Sequence, residues 1–583
     1  MRACSRRPLA AVVAAALAAA SCTIHQREQT AASLAGAPLG RSVCVLFMDG
    51  LSKAAFDHLL AAGAVPNLKR EIVDRGLSYD TAVASVPSET YPNLGAMLTG
   101  LHPGHHGIPA NIWLDRRLRL AESHTNIFRV HSAADFLVPD ARTLYERLPR
   151  DSVAVTTPMG RGATVYAKNL VAVVASYARW DWEFLDRKTI DDVGDAYAGA
   201  LDAGRIPSLA FAHLLGPDEV AHSDGPESAE FRAVLANIDR AFARLVRRLK
   251  RWRIYDRILF VLVGDHGNQS YTRTVEADEL VHRALTSHPT EADCEAGNCV
   301  LVPASGPRQK TYDVGEAQIA VGAYRGAMIW LPASRPPADV PGAFAAGKRK
   351  KQKRPRGAVP PPKIVMPATS DFAAALALAP EMGLVMTRGP VPGSVVVYGP
   401  RGRSEIVRDE TGEGPPRYGY RVVAGEDPLG YASVPALAPF VSGAPFPADD
   451  WLFATAPTEY PDLAVQLPEF FDSPRAPDVY LSPKDGHGFR SGKAAGHGAV
   501  SRLEMVVPLV FAGQGIEPGR RPVARTADLA PTILAWLGVP FDGDEMDGDN
   551  LRLLSAPLPP PPPLPPPPAG EPAEPQEPPG RER

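Results

Sequence analysis

Asp49 in VCVLFMDG, Asp218 and His222 in GPDEVAH, the pair Asp265 and His266 in FVLVGDHGN, and His497 in AAGHGAV are carboxylates and imidazoles. These are the donors that zinc and similar divalent cations take. Three of the pieces stand just after apolar runs, Val43–Phe47, Leu209–Ala212 and Ile258–Val263. Parallel strands there would deliver them to the carboxyl edge of an open α/β sheet, where ligands collect. Carboxylates crowded at such an edge repel one another unless cations neutralise them. Asp218 and His222 are four apart and share one face of a helical turn; Gly267 permits the bend that two adjacent ligands need. Between the first two pieces lies PSETYPNLGAMLTG, whose Ser88 and Thr90 precede an apolar helical stretch. A hydroxyl there either caps the helix or faces its free N–H groups and positive end as a nucleophile toward phosphate. Together the pieces read as a two-metal phosphate-ester site.

The elements that must position these groups are visible as an alternation of strand-like and helix-like patterns from Val43 to about Ser270, the signature of a doubly wound α/β unit. The clearest helix covers 226–252, with Phe231, Val234, Leu235, Ile238, Phe242, Leu245, Val246 and Leu249 on one face. The texture then changes to short strands, turns and a basic run, so 41–270 reads as the first part of the catalytic core and 271–480 as an inserted cap. Strand patterns at 478–481 and 507–511 resume the core, whose second part is 481–552, and a closing helix over 527–537 ends at Gly538. Residues 553–583 form a proline-rich tail unable to build a core. The run Lys348–Arg356 reads as a solvated loop, its alternative being a contact for acidic lipid headgroups or another polyanion.

A chain of 583 residues accommodates a large core plus an insertion, and a net charge of -3 argues against specific nucleic-acid binding. Arg2, Arg6 and Arg7 precede an apolar stretch, Leu9–Ala20, that is short and alanine-rich for a membrane span. Residues 1–22 therefore read as an export signal and 23–40 as a tether, placing the chain in the periplasm or on the cell surface. Ala19-Ala20-Ser21-Cys22 resembles a bacterial lipoprotein box, which would make Cys22 a lipid anchor in the outer membrane; ordinary cleavage near Ala20 is the alternative. Of five cysteines, Cys44 sits in a strand, and Cys294 with Cys299 favours a disulfide over a metal pair.

The ordered set PSETYPN, TGLHPGHHGI at 99–108, Asn111, Pro217-Asp218 through His222 with Gly225-Pro226, GDHG at 264–267, His497-Gly498, TADLAPTILAWLGVP and Met546-Asp547-Gly548 resembles the alkaline phosphatase superfamily. It is most similar to the type I phosphodiesterase/nucleotide pyrophosphatase branch. The resemblance spans essentially 42–552 apart from the cap. It implies a doubly wound, mostly parallel sheet flanked by helices with an inserted cap. It also implies a hydrolase of phosphodiester or pyrophosphate bonds with two Zn2+, or other divalent ions, acting on a small phosphoester. Position by position, it makes Thr90 the nucleophile of a phosphothreonine pathway and Asn111 a donor to the phosphoryl oxygen. One metal would take Asp218, His222 and His497; the other Asp49, Thr90, Asp265 and His266.

His487 competes with His497 as the last ligand, and Tyr91 either stacks on a substrate ring or packs. His102, His105 and His106 stay unassigned. Glu89 departs from the resembled pattern, and a carboxylate there is expected to repel an additional phosphate. A phosphomonoesterase or phosphonate hydrolase is the alternative on the same fold, and an inactive surface binding module the alternative from another class.

Overall fold

Five strands carry the site: β1 (Ser42–Met48), β2 (Leu77–Val83), β3 (Leu209–Leu214), β4 (Ile258–Gly264) and β5 (Leu509–Ala512). Every residue of β1, β3 and β4 is buried. Such runs are continuously apolar because a parallel sheet is covered on both faces. The pleat of β1 divides its side chains between two cores. Cys44, Leu46 and Met48 pack with Trp182, Leu235 and Phe242 on one face, and Val43, Val45 and Phe47 with Leu94, Leu98 and Ile533 on the other. The sheet has nine strands, in the order Val506–Val507, β2, β5, β4, β1, β3, Ser152–Val155 and Val165–Ala167, with Gly519–Arg525 added on β2. β1 runs parallel to β3 and β4, and β5 antiparallel to β4 and β2. This is the mostly parallel, helix-flanked sheet the sequence predicts. The computed structural model describes residues 40–115, 120–124, 130–148, 151–286, 300–302, 318–320, 324–331, 369–412 and 414–565. The expected export signal, residues 23–39 of the tether, the Cys294 and Cys299 pair, the run Lys348–Arg356 and the last part of the proline-rich tail lie outside the described residues.

Three helices connect the sheet to the site: α1 (Thr90–Thr99), α2 (Gly216–Asp224) and α3 (Ala229–Arg251). The sequence predicts α3 from 226, but Ser228 caps it, its Oγ accepting from Phe231 N at 3.0 Å. All eight apolar positions read from its period are buried. Phe242→Ala there would cost about 3–5 kcal/mol in lost burial and cavity. The closing helix is observed at Leu529–Leu537 and stops at Gly538, which adopts φ +71°.

A second, seven-stranded antiparallel sheet is ordered Ala327–Ile329, Val479–Pro483, Met382–Arg388, Ser394–Gly399, Gly402–Asp409, Arg417–Gly425 and Phe446–Pro447. The strand expected to resume the core at 478–481 forms, but it pairs antiparallel with Ala327–Ile329 and Met382–Arg388 in this second sheet. An apolar run specifies a buried strand and not the sheet it joins. Chain re-enters the first sheet only at Val506. The two sheets share a core in which Val83, Trp113 and Met505 pack with Met386 and Tyr480. No described helix is long and apolar enough to cross a membrane.

Candidate functional site

Asp49 follows β1 and Asp265–His266 follow β4, its immediate neighbour in register (Phe47↔Val263), so the sheet itself brings them together. Gly50 N–H donates to Asp265 Oδ1 at 3.0 Å. Gly50, at φ +69°, also admits the next helix: a Cβ there would sit 2.6 Å from Asp218 Oδ1. Gly267 serves close approach as well, since a Cβ would meet Leu503 O at 2.1 Å, and its backbone does not need the left-handed bend foreseen from sequence. Thr90 is the first residue of α1, its Oγ1 3.4 Å from Asp49 Oδ1 and 3.2 Å from His266 Nε2.

Asp218 and His222 lie on α2, with His222 Nε2 3.2 Å from Asp218 Oδ2, and His497 Nε2 comes to 3.9 Å from Asp218 Oδ1. Donor atoms of Asp218, His222 and His497 fall within 4.8 Å of one another, as do those of Asp49, Asp218 and His266. Asp265 joins the second set through His266 Nε2, 3.3 Å from its Oδ2.

The donor chemistry fits divalent cations. Each imidazole is tied at Nδ1 to a backbone carbonyl: His222 to Ala495 O at 3.0 Å, His497 to Ser88 O at 2.9 Å, and His266 to Gly267 O at 3.3 Å. All three therefore turn Nε2 into the cluster, as metal-ligating histidines do. The fully buried Asp265 makes no hydrogen bond through Oδ2. Burial and then the Asp218 charge push the Asp49 carboxyl well above its usual range; burial and then Asp49 do the same to Asp265. Burial also opposes ionisation of Asp218, but His222, His497 and His266 outweigh it and hold that carboxyl well below the usual range. Protein groups alone leave two of the three acids uncompensated, the condition that bound cations relieve.

Asn111 accepts at Oδ1 from Tyr91 N (2.9 Å), which leaves its amide N–H groups for another acceptor. Glu89 is fully buried and its Oε2 accepts from Asn111 N at 2.6 Å. It fixes the Asn111 backbone, which corrects the expectation of a charge facing the substrate. Tyr91 is buried, donates its hydroxyl to His124 O and packs on the His124 ring, which fits the packing reading of this residue. Ser88 Oγ is engaged by Ala499 O at 2.6 Å and Gly498 N at 3.0 Å. His487 turns Nδ1 to Asp485 O, outside both donor groups. His106 is buried against Gly95 and bonds Pro92 O, and His105 bridges Asp547, Glu469 and Asp472.

Four supporting residues were not foreseen. His213, in β3, lies 2.7 Å from Asp49 Oδ2 through Nε2 and stacks on Phe47. Burial holds its imidazole down at about 3, so it is the neutral ring that donates to Asp49. A lone polar residue inside the apolar run LAFAHL was its signal. Asn268 donates to Asp218 Oδ1 at 2.9 Å. Arg325 and Glu504, both fully buried, pair at 2.5 Å. Arg325 N also donates to His497 O at 2.8 Å, and Glu504 Oε2 accepts from Ala499 N at 2.6 Å.

Comparison with known proteins places this geometry. The sequence profile of the family described as type I phosphodiesterase / nucleotide pyrophosphatase matches residues 43–349, more than half of the chain. Human ectonucleotide pyrophosphatase/phosphodiesterase family member 5 is 23% identical over 233 residues, covering 39% of this chain and 45% of the relative. An uncharacterised pyrophosphatase/phosphodiesterase of Schizosaccharomyces pombe is 24% identical over 249 residues, 42% of this chain and 49% of that one. The chain thus spans about half the length of these relatives or less. In three dimensions, murine ectonucleotide pyrophosphatase/phosphodiesterase 5, in an inactive threonine-to-alanine form in complex with AMP, aligns with TM-score 0.50 at 15% identity, covering 88% of this chain and 100% of that one. The human protein 5 aligns with TM-score 0.50 at 14% identity over the same shares. These likenesses bear on the fold.

Proposed function

The chain belongs to the type I phosphodiesterase/nucleotide pyrophosphatase family, and from that membership we propose that it hydrolyses phosphodiester or pyrophosphate bonds, with Thr90 as the attacking hydroxyl. The observation that carries the reading is the position of Thr90 Oγ1 at the first turn of α1, within 3.4 Å of Asp49 and 3.2 Å of His266. Asp218, His222 and His497 would hold one divalent cation, and Asp49, Thr90, Asp265 and His266 another, zinc being an ion that this donor set suits. When bound, such a pair supplies the positive charge that lowers the pKa of an attacking hydroxyl and stabilises a leaving oxygen.

The chain's own residues do the rest. The open amino end of α1 turns its N–H groups and positive dipole end toward the phosphate. Asn111, held by Glu89 and by Tyr91 N, offers its amide N–H groups to a non-bridging oxygen. Thr90 Oγ loses its proton to solvent and bonds to phosphorus while the bond to the leaving oxygen breaks. Water then attacks the phosphothreonine ester and restores the hydroxyl. His213 fixes Asp49 by one oxygen and leaves Oδ1 toward Thr90. The names of the relatives mark several as ecto-enzymes, in keeping with the export read from residues 1–22. In this reading the second sheet serves as the cap. The substrate complex recorded for the murine relative, AMP, supports a nucleotide-sized phosphoester here.

The test is turnover of bis(p-nitrophenyl) phosphate against p-nitrophenyl phosphate, before and after chelation and zinc restoration. Preference for the diester, lost on chelation and regained with zinc, supports the reading. Preference for the monoester would move the protein to the phosphomonoesterase alternative, and an undiminished rate in metal-free protein would defeat the mechanism.

A further inference from the structure

A row of rings crosses the site away from the nucleophile. His266, 3.2 Å from Thr90 Oγ1, stacks on His497 at 3.8 Å. His497 lies 5.1 Å from His222, and Tyr324 covers His222 at 3.7 Å. Beyond Tyr324 stand two cations, Arg490 with Cζ 4.6 Å from the ring centroid and Lys493 with Nζ 5.7 Å from it. Their loop is tied on both sides: Tyr271 donates its hydroxyl to Arg490 O at 2.8 Å, and Ala494 N donates to His222 O at 2.9 Å.

We propose that Arg490 and Lys493, laid over Tyr324, form an anion-binding wall on the leaving-group side, so that the preferred substrate carries a second phosphate beyond the bond that is broken. The inference rests on the hydrolase reading above and chooses between its two bond types. In an in-line displacement the leaving oxygen departs opposite the attacking one. Here that direction runs from Thr90 toward the group Asp218, His222 and His497, and whatever the leaving oxygen carries next meets this wall. Among the described residues neither cation has an ion-pair partner within bonding distance. Glu219 is the acid that bears on Lys493, and Tyr177 already donates its hydroxyl to it. Two cations against one engaged acid leave positive charge over. Burial, together with Arg490, holds the Lys493 ammonium below the usual lysine range against the pull of Glu219. An anion lodged between the two cations would relieve that repulsion, and charge-assisted hydrogen bonds of this kind are the strong ones. Glu89, buried against Asn111 N, does not oppose it.

The test replaces both cations, Arg490→Gln with Lys493→Gln, in the metal-loaded full chain. The ratio of kcat/KM on adenosine triphosphate to kcat/KM on bis(p-nitrophenyl) phosphate should fall by about tenfold. An unchanged ratio, including equal losses on both substrates, overturns the proposal. A second arm reads the wall without turnover: equilibrium binding of adenosine triphosphate to metal-loaded Thr90→Ala protein, with and without the double substitution. Binding about tenfold weaker with the substitutions supports the wall, and equal affinity overturns it. If the unmodified chain turns over neither substrate, the hydrolase reading falls on that result alone, while the binding arm still decides the wall.

Discussion

Asp49, Asp265 and His266 leave the ends of two neighbouring, hydrogen-bonded strands, whereas Asp218 and His222 ride on a short helix and His497 on a loop far along the chain. The first half of the site inherits its geometry from the sheet: once β1 and β4 pair in register, their terminal residues are neighbours. The second half has no ladder to set it. His497 is instead held by Ser88 O and by the N–H of Arg325, and its loop by Glu504, which binds Ala499 N and accepts from Gly267 N through its own carbonyl. A fully buried ion pair of this kind costs several kcal/mol per charge to desolvate. Its retention beside His497 points to positioning as its contribution. The sheet-built half should therefore withstand loss of remote partners, and the loop-built half should not.

The largest effect expected is on the nucleophile the two halves share. Thr90→Ala should lower turnover on the order of 10⁴-fold, the scale of removing a covalent nucleophile, with metal content unchanged by elemental analysis. Loss with Ser88→Ala in place of Thr90→Ala would move the nucleophile.

Breaking the buried pair separates the halves next. Arg325→Met leaves Glu504 buried without its cation and should destabilise by about 3–5 kcal/mol, read by denaturant unfolding. Arg325→Met combined with Glu504→Leu should recover much of that loss while metal affinity on the His497 side stays weak. Full recovery of affinity would mean that the pair does not position His497.

Removing one ligand from each half sharpens the comparison. His497→Ala and Asp265→Asn should each lose one bound ion, with rates down roughly 100-fold or more. Loss of both ions in both variants would show one cooperative centre in place of two halves.

The smallest effect belongs to His213. His213→Ala should weaken metal binding at the Asp49 side by about 10-fold, measured by chelator competition, and His213→Gln, which keeps an N–H donor, should restore most of it. Equal weakening at both ions would make His213 a packing residue.

Legibility followed the same division. The strands of the first half announce themselves because a sheet covered on both faces needs unbroken apolar runs, and ligands just past such runs sit at one edge by topology. Ser228 shortened the expected helix because a local cap overrides an apolar period. The second sheet was legible only as a change of texture: its strands alternate apolar and polar residues, and nothing local in VYLSP states that its partners are Ala327–Ile329 and Met382–Arg388. Glu89 misled because its type suggests a surface charge, while its partner, the Asn111 backbone, is 22 residues away. The pair Arg325 and Glu504, 179 residues apart, leaves no mark in sequence spacing.

The stereochemical course at phosphorus tests the central claim most directly. A phosphodiester made chiral with sulfur and an oxygen isotope, hydrolysed by the metal-loaded chain, should show net retention, because attack by Thr90 and then by water are two in-line inversions. Net inversion would mean a single attack by water, and Thr90 would not be the nucleophile.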